Sequence, residues 1–153
     1  MNTQTEQTLE NNLVAQLVEL GYEKVVLPDT TAMLVNLKAQ IERHNDVQLS
    51  DAEFRRVLNH LDKGNVFDRA KILRDKLALK RDNDRDTVYI EFINQTKWCQ
   101  NEYQVARQIV NNGEYNNRYD VTILVNGLPL VQIELKRRGI ELKEAFNQVN
   151  SLS

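Results

Sequence analysis

A chain of 153 residues is long enough for one domain with a real core and short for two. Hydrophobic residues make up 41% and charged ones 27%, the ordinary mix of a soluble globular protein, which argues against a disordered chain. Twenty Lys and Arg against twenty-two Asp and Glu leave a net charge of −2, so no basic excess marks a nucleic-acid binder, although positive charge can be gathered in one cleft.

The first predicted element is a helix from Thr3 to Leu20. Thr3 and Glu6 have capping-box spacing, Gly21 supplies the stop, and Leu9, Leu13, Leu17 and Leu20 form the apolar stripe. Glu6 and Glu10 lie on the side of that stripe, so a carboxylate is expected to point toward the body of the protein. Val25 to Thr30 reads as extended. A second helix over Ala32–His44 buries Met33, Leu34, Leu37 and Ile41. Ser50-Asp51-Ala52-Glu53 is a further capping box, opening a helix with Phe54, Val57, Leu58 and Leu61 inward. Val66 to about Leu79 is also expected to be helical, and Lys80–Asp86 to be a solvated loop.

From Thr87 the pattern changes to strands: Val88–Ile93, Tyr103–Ile109, Arg118–Val125 and Leu128–Lys136, with Asn111-Asn112-Gly113 as a break. Asn126-Gly127 is a strong hairpin signal. Glu141 to the end returns to helical period, with Leu142, Ala145, Phe146 and Val149 on one side. The order of helices, strands and a final helix predicts one α/β (α+β) domain with a mixed central sheet flanked by helices, the helical part inserted over about 32–83.

The last two strands, read by alternation, carry the chemistry. Val121, Ile123 and Val125 share one face with Val131, Ile133 and Leu135. The other face holds Asp120 and Thr122, then Gln132, Glu134 and Lys136. A plain two-residue loop would set Asp120 opposite Ile133 and separate it from Glu134. Convergence of the carboxylates therefore predicts a three-residue loop over Asn126-Gly127-Leu128, or an added bulge. Two carboxylates beside a lysine suit phosphodiester hydrolysis. Hard oxygen ligands hold Mg²⁺, which acidifies a water and neutralises phosphate charge, and a fixed ammonium supports the transition state. The backbone carbonyl of Leu135 offers a further ligand. Such a triplet is nevertheless common on solvent-facing hairpins, where Lys136 would be a salt-bridge partner.

The run from Asn117 to Lys136 is far more specific than its three polar residues. Arg118-Tyr119-Asp120, a strand, Asn126-Gly127-Leu128-Pro129-Leu130 and a strand ending Glu134-Leu135-Lys136 closely resemble the nuclease motif of the restriction (R, motor) subunits of type I restriction-modification enzymes. These belong to the PD-(D/E)xK nuclease superfamily. The resemblance continues into Glu144-Ala145-Phe146-Asn147-Gln148, and Leu9-Glu10 followed by Gly21-Tyr22 is similar to the opening helix of such subunits. It implies a restriction-endonuclease-like core and Mg²⁺-dependent DNA cleavage. Asp120 and Glu134 would be metal ligands, joined by the Leu135 carbonyl and, as in some relatives, by Glu10; Lys136 would be the catalytic lysine. Gln148, Arg137 and Arg138 would support the site or contact double-stranded DNA. The implied partners are the modification and specificity subunits.

Two departures stand out: Tyr119 replaces the proline of the superfamily name, and Leu152 stands where the family's Gln-x-x-x-Tyr places tyrosine. No Gly-x-x-x-x-Gly-Lys-Ser/Thr occurs, so ATP would be bound elsewhere in a full-length motor subunit. The expectation is a fragment or truncated product, cut after the helix that follows the motif. A catalytically inactive nuclease-fold module that docks subunits or holds DNA remains an open alternative, as does a repair or junction nuclease of the same fold.

The other side chains read more plainly. Cys99 is alone, which fits a reducing cytoplasm and excludes an internal disulfide. No apolar run reaches the ~20 residues of a membrane span, and the Asn/Thr/Gln-rich start is unlike a signal peptide. His44 and His60 lack neighbouring ligand partners. Phe92, Trp98 and Tyr103 are expected in the core, because they fall on strand-like segments.

Overall fold

The computed structural model describes residues 5–107, 110–112, 116–118 and 121–135. In chain order its elements are α1 (Glu6–Glu19), β1 (Glu23–Val25), α2 (Thr30–Asn45), α3 (Asp51–Leu61), α4 (Val66–Arg74), β2 (Leu77–Lys80), β3 (Thr87–Ile90), a 3₁₀ turn (Trp98–Gln100), β4 (Tyr103–Arg107), β5 (Val110–Asn112), β6 (Asn116–Arg118), β7 (Val121–Val125) and β8 (Leu128–Ile133). They divide into two compact units. One takes residues up to Met33, Tyr103–Leu124 and the chain from Pro129; the other takes Leu34–Glu102 and Val125–Leu128.

The first unit carries a mixed four-stranded sheet in the order β1-β4-β7-β8. β1 and β4 run parallel, with Glu23 opposite Gln104 and Val25 opposite Ala106. Along β4 alternate side chains serve different faces. Val105 joins Val121, Ile123, Ile133 and Leu135 against Leu13, Val14 and Leu17 of α1, whereas Ala106 joins Leu124, Leu27, Val25, Ala32 and Met33. Both faces are thus covered, as parallel pairing usually demands. β7, between β4 and β8, is buried at Val121, Thr122, Leu124 and Val125.

α1 forms because Thr5 caps it, its hydroxyl accepting the Thr8 N–H at 3.1 Å. The cap is therefore Thr5; Thr3 lies outside the described residues. The helix buries Glu10, Val14 and Leu17, three positions at helical spacing, and leaves Leu20 76% exposed at its C-cap, where the expected stripe does not reach.

The second unit has its core at Leu37, Ile41, Leu49, Val57, Leu79, Ile90, Phe92 and Leu128. The expected capping box opens α3. Ser50 Oγ accepts the Glu53 N–H at 3.1 Å and Glu53 Oε1 accepts the Ser50 N–H at 2.9 Å. Leu77 to Leu79, expected to be helical, instead belong to β2, which pairs antiparallel with β3 and sets Leu77 opposite Ile90. Pairing wins over helical propensity because it delivers Leu79 and Ile90 to the core on one face. Likewise Asn111 and Asn112, expected to interrupt the chain, lie in β5 and pair antiparallel with Asn117 and Asn116. The expected helix from Glu141 falls outside the described residues.

β7 and β8 are joined by a two-residue turn, Asn126-Gly127, with φ of 50° and 83°. Positive φ at both positions is what such a hairpin needs. The three-residue loop is therefore not formed. Counting back from Val125 opposite Leu128 would set Val121 opposite Gln132 and turn Ile133 to the other face. Yet Val121 and Ile133 share one apolar cluster. Alternation is broken along β8, where Leu130 and Val131 are consecutive exposed residues.

The turn itself is buried. Asn126 donates from Nδ2 to the Phe92 carbonyl at 2.8 Å and to Asn101 Oδ1 at 3.0 Å, and its Oδ1 accepts the Glu102 N–H at 2.9 Å. Its own N–H donates to the Glu102 carbonyl at 2.9 Å. At Gly127 an added Cβ would lie 2.8 Å from Leu37 Cα, so only glycine fits against α2. Asn126→Ala should cost about 3 kcal/mol by leaving the Phe92 carbonyl and Glu102 N–H without that amide. Asn126→Gly should lose nearly as much despite its tolerance of positive φ, and Gly127→Ala more than ~1 kcal/mol. Urea unfolding measures all three; wild-type stability in Asn126→Gly would show the network carries no weight.

Candidate functional site

Of the residues expected to act, Glu134, Leu135 and Glu10 are described; Asp120, Lys136, Arg137, Arg138 and Gln148 lie outside the described residues. Glu134 directly follows β8 and is half-buried. Its neighbours Ile133 and Leu135 both pack into the cluster under α1. By alternation the Glu134 carboxylate points away from α1, to the face that carries Gln104, Ala106, Thr122 and Leu124. Leu135 packs its side chain against that cluster, and its carbonyl is the further oxygen the resemblance implies as a ligand. Carboxylate and carbonyl are hard oxygen donors of the kind magnesium takes, so this part of the expected set fits the ion in its chemistry.

That face differs from the solvent-facing hairpin that is the alternative reading of the triplet. Thr122 is 1% exposed, Gln104 is 1% exposed, and the Thr122 hydroxyl has no hydrogen-bond partner among the described residues. A buried hydroxyl left so costs roughly 1–3 kcal/mol. Val131, expected in the apolar cluster, is 45% exposed.

Glu10 is no surface carboxylate. It is 3% exposed on α1 and its Oε1 accepts from Arg107 Nε at 2.9 Å. Arg107 ends β4 and shares alternation with Val105 and Tyr103, facing α1; the Tyr103 ring packs on Tyr22 at 5.5 Å. A cation bound at Glu10 would compete with this guanidinium. Sequence reasoning missed Arg107, although its parity with Val105 gives the signal: a charge placed two residues along from a core position needs a buried partner.

The histidines are structural. His44 Nε2 lies 2.9 Å from Glu91 Oε2, while Asn45 brackets Glu91 by accepting its N–H at 2.7 Å and donating to its carbonyl at 3.0 Å. His60 stacks on Phe92, and burial, reinforced by Lys63, lowers its pKa from the ordinary value. Among the described residues no three His, Cys, Asp or Glu side chains converge on one point; the expected trio depends on Asp120, which is outside them. No helix among the described residues is long and apolar enough to cross a membrane.

A mixed sheet covered on both faces, with an acidic residue at the end of a hairpin strand, defines an α/β domain of nuclease-like architecture. The family described as the type I restriction enzyme R protein N terminus matches residues 3–152, and the chain belongs to that family. It is 49% identical over 154 residues to a protein from Staphylococcus aureus strain MSSA476 named type I restriction enzyme SauMSSORF170P endonuclease subunit, a match over 97% of this chain and 16% of the relative. A Staphylococcus saprophyticus subunit of the same description is 48% identical, over 95% of this chain and 16% of its own length. The Escherichia coli EcoprrI endonuclease subunit is 41% identical, over 98% of this chain and 50% of its own length. The chain thus spans about a sixth of the staphylococcal relatives and half of the E. coli one.

The ion pair gives a direct test of how α1 is held. Glu10→Ala and Arg107→Ala should each destabilise by about 2–3 kcal/mol, less than a fully enclosed pair because the Arg107 side chain is 27% exposed. In a double-mutant cycle by urea unfolding the two losses should be strongly non-additive. Simple additivity would mean the contact contributes nothing.

Proposed function

We propose that this chain is the endonuclease domain of a type I restriction enzyme R subunit, cutting DNA phosphodiesters with Mg²⁺. The observation that carries the reading is the family match over residues 3–152, which takes in the whole of Asp120…Glu134-Leu135-Lys136. The relatives' designation as endonuclease subunits supports it, and so does the way Ile133 and Leu135 anchor Glu134.

In this reading the carboxylates of Asp120 and Glu134, with the Leu135 carbonyl, hold the metal. When bound, the ion neutralises phosphate charge and makes a water acidic enough to supply the nucleophile. Lys136 places a fixed ammonium beside the phosphate, orienting the attacking water and countering the charge that builds on the phosphoryl oxygens. Arg137, Arg138 and Gln148 contact the DNA backbone or support the site. Nothing in this set reads base edges, so sequence choice falls to the specificity and modification subunits, and ATP-driven translocation to motor domains elsewhere in a full-length subunit. Such a complex works in the cytoplasm.

Supercoiled plasmid nicking by the assembled complex should require Mg²⁺. Asp120→Ala and Glu134→Ala should reduce it to background and Lys136→Ala by about 10²–10³-fold, the loss typical of one transition-state donor. Titration calorimetry should show Mn²⁺ binding that both carboxylate variants lose. Wild-type cutting by Asp120→Ala would exclude the assignment, and a chain that binds no divalent ion would be a docking module.

A further inference from the structure

The second unit holds an aromatic and cationic groove that the hairpin chemistry does not use. Trp98, expected in the core, is instead 61% exposed. It sits on the 3₁₀ turn between Phe92 and β4, and lines a surface groove of about 420 Å³ with Ala70, Leu73, Arg74, Ile93 and Gln95. The lining contains one cation, no acid and one side-chain amide. Two further cations flank it: Lys71, one turn before Arg74 on α4, and Lys97, beside Trp98; both are exposed. Arg74, Lys71 and Lys97 form no ion pair among the described residues, although Asp68 and Asp75 are their neighbours along the chain.

The exposure of Trp98 does not come from a loose loop. Asn94 Oδ1 accepts the Lys97 N–H at 2.9 Å and the Thr96 N–H at 3.2 Å, and Asn94 Nδ2 donates to Gln100 Oε1 at 2.9 Å. Asn101 closes the loop by donating to the Asn94 carbonyl at 2.9 Å and accepting the Asn94 N–H at 2.8 Å. Gln95 donates to the Arg74 carbonyl at 3.2 Å, fixing the loop to the end of α4. The loop that carries the exposed indole is thus closed by its own hydrogen bonds, and the indole shares the groove with a guanidinium.

We infer that this groove binds an unpaired stretch of nucleic acid, with Trp98 stacking on a base and Arg74, helped by Lys71 and Lys97, taking the adjacent phosphates. Single strands are held by this combination: an aromatic face accepts any unpaired base, and cations follow the backbone. In a duplex the base faces are already stacked, which favours the single strand. An apolar peptide would use the indole but leave the cations idle. The volume suits one base, lying within the ~300–1,000 Å³ of ordinary small-molecule sites.

Trp98 is the only tryptophan of the chain, so its fluorescence reports on this groove alone. Titrating the 153-residue chain, in chelator, with a thymidine oligonucleotide at low salt should quench it, and added salt should reverse the quenching. Arg74→Ala should weaken binding several-fold while Arg74→Lys retains most of it. By anisotropy of a labelled strand, Trp98→Ala should bind about tenfold or more weakly and Trp98→Phe close to wild type, which separates stacking from misfolding. Glu134→Ala should quench as the wild type does. A nuclease reading that failed would leave these results intact, because the chelator removes any metal-dependent contact. No quenching by the single strand, stronger quenching by duplex, or wild-type affinity in Trp98→Ala would each overturn the inference.

Discussion

The hairpin that ends in Glu134 depends on a turn that is not on the surface. Two-residue turns usually face water, where their polar groups are satisfied without help. Here Asn126 is 1% exposed, and every donor and acceptor it turns inward must find a protein partner. It finds them in the Phe92 carbonyl, Asn101 and both backbone groups of Glu102. Asparagine suits the position on two counts: it tolerates positive φ better than most residues, and its amide offers two donors and an acceptor. Gly127 then lets the backbone pass against Leu37 of α2 where any Cβ would collide. A turn specified this tightly fixes where β7 ends and β8 begins.

The first unit solves a different problem, that of a carboxylate on the buried side of its helix. Glu10 stands on the same face of α1 as Val14 and Leu17, both of which enter the apolar cluster under the sheet. An ionised group there loses most of its hydration, a cost that only a close, well-oriented cation offsets. Arg107 supplies it from the end of β4. The pair also defines how α1 lies along the strand, since sliding the helix would separate the charges while leaving its leucines much as they were.

Much of this was legible in the sequence wherever a local rule had no competitor. The Ser50–Glu53 box and the stop at Gly21 are decided within a few residues, and the structure agrees with both; the local Asn126-Gly127 signal also holds, against the three-residue loop that convergence of the carboxylates predicts. The apolar face of the hairpin was read correctly at Val121, Ile123, Ile133 and Leu135, and incorrectly at Val131, where alternation breaks. The misses share a cause. Leu77–Leu79, expected to be helical, lie in a strand because Thr87–Ile90 pairs with β2, a partner no local window contains. Trp98 is expected in the core because it falls on a strand-like segment, but the hydrogen bonds of Asn94 and Asn101 close a loop there, and the residue sits on a 3₁₀ turn and is exposed. Arg107 had no visible role until Glu10 was brought to it across 97 positions of chain. The family resemblance was carried by a long contiguous run and needed no long-range information at all.

The same packing bears on how a carboxylate is held at the end of a strand. Strand ends fray unless something beyond the ladder holds them, and a chemical group is useful only if placed to within about half an ångström. Glu134 lies just past β8, where the ladder has stopped. The restraint comes instead from its neighbours: Ile133 before it and Leu135 after it are both tied into the cluster formed by Val14, Leu17, Val105 and Val121. With both flanking side chains anchored on one face, the backbone between them has little freedom, and the intervening carboxylate must project to the other. The cluster that stabilises α1 on the sheet therefore also aims Glu134, so that loosening the packing beneath the helix would blur the position of the acid before it unfolded the strand.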